Sequence, residues 1–73
     1  MEEIEISTIY IQLGQLLKLA NVVESGGLVK HFLATYPVNI NGEQDQRRGR
    51  KLYSNDIIEI EGIGSFKIIA PSS

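Results

Sequence analysis

Arg47, Arg48, Arg50 and Lys51 place four cations within five residues, with Gly49 between them. Like charges at this density repel one another and gain nothing from a core, so the spacing points to a polyanion that neutralises them. Arginine adds planar, bidentate contacts to phosphate and stacks on bases. A solvated loop is the alternative for this stretch. A second candidate is Ser25-Gly26-Gly27 followed by Lys30. Serine suits a helix N-cap, and the free N–H groups of a helix start attract phosphate, which two glycines allow to approach closely. Lys30, about one turn on, adds a point charge there. The spacing is not that of a Walker loop, and a plain N-cap is the alternative. Lys18 either extends the basic face or is an ordinary exposed lysine. His31 suits a surface position or a stacking contact with a base. Tyr36 and Tyr53 are stacking candidates whose alternative is packing at the core edge.

Other chemistry is poorly served. The chain has no cysteine and one histidine, which leaves no thiol nucleophile and no thiolate or multi-histidine metal site. No nucleophile is paired with a base in a recognisable motif, so no catalytic residue and no cofactor are expected. Glu59 and Glu61 fall on one face of a strand, where two solvated charges are expected rather than an acid/base dyad.

The 73 residues bound the chain to one domain, with a core expected over about 4–69 and a tail over 70–73. Net charge is −2, but it is segregated. From Lys18 to Lys51 six basic residues face three acidic ones, giving +3; the first 17 residues carry −3 and the last 22 carry −2. Binding of a polyanion depends on the local field, so the middle of the chain outweighs the sum. There is no basic segment followed by an apolar run, and no stretch near the roughly 20 apolar residues of a membrane span. The reading is a cytoplasmic protein without membrane contact.

The elements that must position these residues follow from periodicity. Ile4, Ile6, Ile9 and Ile11 suggest an N-terminal strand bent near Ser7-Thr8. Leu13, Leu16, Leu17 and Ala20 form one stripe of a short helix. Val22 and Val23 suit a buried connector. Ser25-Gly26-Gly27 opens a second helix with Leu28, Val29, Phe32 and Leu33 inward, and Pro37 stops it near Thr35. Val38 and Ile40 then alternate toward Asn41-Gly42, a strong type I′ hairpin signal. After the basic stretch, Leu52 and Tyr53 return to the core side, Ser54-Asn55-Asp56 turns, and Ile57–Ile60 and Phe66–Ile68 are strands separated by Gly62-Ile63-Gly64. The expected class is α+β, two short helices packed on a small, mainly antiparallel β-sheet.

Taken in order, Leu16 to Ala20, Ser25 to Lys30, Val38 to Glu43, Arg47 to Leu52 and Asp56 resemble the RNA-binding domain named after ribosomal small-subunit protein four, the S-four domain, and in particular its short, free-standing YaaA-like branch. The resemblance spans about Gln12 to Ile60. Ser25 and Lys30 match the serine and last basic position of the family's S-R-x-x-A-R signature, and Val38 to Gly42 matches its V-x-V-N-G hairpin. Gly26 stands where an arginine is common and Val29 where alanine is common. The resemblance implies an αL-type helix pair on a small sheet, binding to structured ribosomal or transfer RNA, and compensation by Arg47 to Lys51 for the missing arginine.

The expectation is thus a non-catalytic RNA-binding module, acting on structured RNA or ribosomal particles in ribosome assembly or translation. Its contacts would be Lys18, Ser25, Gly26, Gly27, Lys30, His31, Arg47, Arg48, Arg50 and Lys51. Replacing Arg47, Arg48 and Arg50 together by alanine is expected to weaken binding without unfolding. A module docking on an acidic protein partner is the alternative. A ubiquitin-like carrier is disfavoured, because the chain ends Ala70-Pro71-Ser72-Ser73 rather than in Gly-Gly.

Overall fold

The computed structural model describes residues 1–71. The N-terminal isoleucine pattern divides at the Ser7-Thr8 bend into two strands in different sheets, β1 (Glu2–Glu5) and β2 (Tyr10–Gln12). Helix α1 (Leu13–Leu19) follows directly, then a 3-10 turn (Gly26–Leu28) that runs into α2 (Val29–Thr35). The remaining strands are β3 (Val38–Ile40), β4 (Glu43–Gln44), β5 (Lys51–Tyr53), β6 (Ile57–Ile60) and β7 (Gly64–Ile69).

Five strands form one sheet in the order β1-β7-β6-β3-β4, antiparallel except for the parallel pair β1 and β7. Strands β2 and β5 form a separate antiparallel ribbon. The period-two pattern sends Ile4, Val38, Ile40, Ile58, Ile60, Phe66 and Ile68 to one face of the large sheet. Leu13, Leu16, Leu17, Val29 and Leu33 from the helices meet them, and Leu52 closes the core from the ribbon. Burying a leucine fully is worth about 1.5–3 kcal/mol, so the three buried leucines of α1, Leu13, Leu16 and Leu17, anchor it firmly.

Local chemistry sets the turns. Asn41 and Gly42 both have positive φ, 53° and 88°, as a type I′ hairpin requires. Asn41 also fixes the start of β6: its Oδ1 accepts the Ile57 N–H at 2.9 Å and its Nδ2 donates to Asp56 Oδ1 at 3.0 Å. Tyr36 is extended beside Pro37, and α2 ends at Thr35.

Three expectations need correction. Ser25 is extended and its side chain caps nothing; the chain enters α2 through a 3-10 turn closed by the Leu28 N–H on the Ser25 carbonyl. Leu28 lies on that turn and is exposed, so the inward stripe of α2 begins at Val29. Tyr53 is also exposed, because in a three-residue strand only the central Leu52 points to the core. Toward the C-terminus, the Ala70 N–H donates to Ser54 Oγ at 3.2 Å, while the tail residues Ser72 and Ser73 lie outside the described residues.

Candidate nucleic-acid interface

The first turn of α1 organises the basic loop. A helix start leaves N–H groups without helical partners. Here Leu13 N–H donates to the Arg50 carbonyl at 2.8 Å and Gly14 N–H to the Arg48 carbonyl at 2.9 Å. Gly14 permits this approach, since a Cβ there would lie 3.3 Å from Val29 Cγ1 and 3.4 Å from the Arg48 oxygen. The loop therefore sits against the starts of both helices. The distant double-glycine segment and arginine-rich segment become neighbours.

Arg48 is the meeting point. On one side it shares a shallow groove with Gln12, Gly14, Lys18, Gly26 and Gly49; on the other it borders a hollow lined by Lys30, Leu33, Ala34 and Gln46. The Lys18 Nζ lies close to Gly26, 3.9 Å from where a Cβ on that residue would stand. Lys18, Lys30 and Arg48 are exposed. Lys18 and Arg48 thus line the groove at Gly26 and Lys30 lines the hollow on the other side of Arg48, three cations on open surface in an arrangement suited to phosphates of a folded polyanion. Ser25 and Gly27 flank Gly26 and are exposed, and His31 is exposed on α2 outside the linings of both hollows.

Arg47 and Arg50 take a different course. Both bind Asp45, which is 9% exposed. Arg47 Nη2 donates to Asp45 Oδ2 at 2.8 Å, Arg47 Nε to Oδ1 at 3.1 Å, and the Arg47 N–H to Oδ1 at 2.8 Å. Arg50 Nη1 donates to Oδ2 at 2.9 Å. The Asp45 N–H in turn donates to the Val38 carbonyl at 2.9 Å, tying the network to β3. The Arg47 side chain holds the Asp45 carboxyl well below the usual carboxylate range, with its N–H and Arg50 adding to this against the cost of burial. Lys51 departs again, lying on the ribbon with its Nζ 5.0 Å from the centre of the Tyr10 ring.

The four adjacent cations are therefore not one uniform patch. Arg48 faces the helix starts, Arg47 and Arg50 close on a carboxylate, and Lys51 covers a tyrosine. Replacing all three arginines would strip Asp45 of both its partners, so the triple change acts on the loop's stability as well as on its charge. Residue type and spacing alone single out neither Asp45 nor Gly14. Asp45 counts there as one acid among several, and only its place two residues before Arg47 and five before Arg50 hints at a local ion pair. Gly14 lies beside the apolar stripe of α1 without any sign of which segment it admits.

Among the described residues no group of histidine, cysteine or acidic side chains is arranged to hold a metal ion, and no helix is long and apolar enough to cross a membrane. Residues 4–69 match the S4 domain family. The chain is also 56% identical over 66 residues to the probable ribosome maturation protein RlbA of Bacillus subtilis (strain 168), an alignment covering 90% of this chain and 93% of that protein. With the two helices on a mainly antiparallel sheet, the loop seated against their starts, and a family match across nearly its whole length, the chain belongs to the S4 domain family.

Proposed function

We propose that this chain is a non-catalytic RNA-binding module of the cytoplasm that recognises structured ribosomal or transfer RNA, with ribosome maturation as its setting. One observation carries the site: Arg48 links the groove that holds Lys18 and Gly26 to the hollow that holds Lys30, although the three cations come from three separate elements. The S4 domain membership and the relative's role in ribosome maturation support the choice of RNA as the polyanion. Ser25 and Gly27 flank Gly26 in the chain and are exposed, and Arg47, Arg50 and Lys51 extend the positive field beyond the groove. Recognition is of backbone and shape, as for much folded RNA.

The test is the salt dependence of binding to ribosomal RNA fragments. Each phosphate contact contributes roughly 0.7–0.9 to the slope of log affinity against log salt. Lys18→Ala, Lys30→Ala and Arg48→Ala together are expected to weaken binding and to flatten that slope by about two to three. A triple variant that binds with the parental slope would reject the site. Retention of a protein partner after nuclease digestion, with no RNA affinity, would favour docking on an acidic protein instead.

A further inference from the structure

The outer face of the β2–β5 ribbon carries a second group of exposed side chains. Tyr10 pairs with Tyr53 and Gln12 with Lys51 in the antiparallel register. Side chains of a strand alternate between faces, so Tyr10, Gln12, Lys51 and Tyr53 share one face, opposite Ile11 and Leu52 on the core side. The tyrosines are 40% and 46% exposed, and their ring centres are 5.9 Å apart at 47°. Core packing does not account for them, because Leu52 supplies the ribbon's buried contact. The Lys51 ammonium lies against the Tyr10 ring.

This face is continuous with the helix-start groove. Gln12 belongs to both, lining the groove beside Arg48 and Gly49 while sitting across from Lys51 on the ribbon. One end of the ribbon face thus offers an amide and a cation next to Arg48, and the other end offers two aromatic rings. No carboxylate is among the four side chains. Exposed rings with an adjacent cation suit a nucleotide whose base lies on the ring and whose phosphate meets the ammonium.

We infer that the Tyr10–Tyr53 face, with Lys51, is a stacking site for unpaired bases of the RNA whose phosphates meet Lys18, Lys30 and Arg48. The inference rests on the RNA-binding reading above and adds to it a preference for a single-stranded segment flanking the folded part. The ligand is a purine or pyrimidine base taken by its face, so sequence preference at this site is weak.

The experiment measures binding of the full chain to three RNAs: a fully paired hairpin, the same hairpin with a short single-stranded oligoadenylate extension, and one with an abasic extension of equal phosphate number. The expected result is about tenfold tighter binding with the adenylate extension than with the abasic one. Tyr10→Leu with Tyr53→Leu is expected to abolish that difference while leaving hairpin affinity unchanged, and Tyr10→Phe with Tyr53→Phe to retain it. Equal affinity for the adenylate and abasic extensions in the parental chain overturns the stacking site, even if the leucine variant fails to fold. Unchanged preference in a folded leucine variant overturns it as well. Hairpin binding that responds to Lys18, Lys30 and Arg48 but not to the extension overturns the stacking site alone, whereas absence of hairpin binding overturns the RNA reading with it.

Discussion

Gly14 and Arg48 are joined by a 2.9 Å main-chain hydrogen bond that seats the arginine loop on the first turn of α1. A side chain at Gly14 would press on Val29 and on the Arg48 carbonyl. For Gly14→Ala, the better helix propensity of alanine opposes this crowding, and stability is expected to change by less than about 1 kcal/mol. Gly14→Val adds bulk without that compensation and is expected to cost about 1–3 kcal/mol and to displace Arg48. Urea unfolding and RNA affinity measure the two effects. Parental affinity in the valine variant would show that the seat does not position Arg48.

Asp45→Asn separates loop order from bulk charge. Removal of a negative charge from a phosphate-binding surface raises affinity if charge alone matters. Loss of the contacts to Arg47 and Arg50 loosens the loop that presents Arg48, so affinity is expected to fall instead. Stability at neutral pH is expected to drop by about 1.5–3 kcal/mol, the range for hydrogen bonds to a charged group. Titration of RNA affinity at fixed salt decides the sign.

The same carboxylate predicts a pH signature. Its folded pKa lies below its unfolded value of about 3.9, so it contributes stability that is fully present above that value. The contribution is lost as pH falls from there through the lower folded pKa. Parental chain and Asp45→Asn should therefore differ by a constant amount above about pH 5 and converge in more acid solution. Denaturant midpoints across this range measure it, and a gap that persists undiminished into strong acid would count against the ion-pair origin.

Arg48→Ala and Arg50→Ala should dissociate affinity from stability. Arg48 has no side-chain hydrogen bond among the described residues, so its loss should weaken RNA binding with stability changed by less than about 0.5 kcal/mol. Arg50, which donates to Asp45 and is only 30% exposed, should lose stability on truncation. Thermal melts and binding isotherms of the two variants, taken side by side, test the contrast.

Ser25→Ala is expected to be nearly silent in folding, within about 0.5 kcal/mol, because the hydroxyl makes no cap. A working N-cap serine would cost about 1 kcal/mol on the same change. Its effect on RNA binding then reports a direct contact by the hydroxyl.

The sequence is most readable where the physics is local. Leu13, Leu16 and Leu17 declare their helix by spacing, Pro37 declares where α2 ends, and Asn41-Gly42 declares a turn that only residues tolerant of positive φ adopt readily. Partners across the chain are less legible. Nothing in Glu2–Glu5 says that β1 lies parallel to β7, and nothing in the apolar pattern distinguishes buried Leu52 from exposed Tyr53 or Leu28, because exposure depends on what another element covers. The charge run announces a polyanion but not its own division, which depends on Asp45 being drawn inward by its hydrogen bond to β3.

The parallel pairing of β1 with β7 has a consequence for how the chain acquires its structure. Glu2 aligns with Phe66 and Glu5 with Ile69, so the first strand of the domain waits for its last. Helices and the Asn41-Gly42 hairpin can form from nearby residues, but this edge closes only across nearly the full length of the domain, a step that is entropically slow. Until it closes, Ile4 lacks its cover and the sheet border at β7 stands open to other strands, which makes the final closure the moment of greatest exposure to misassembly.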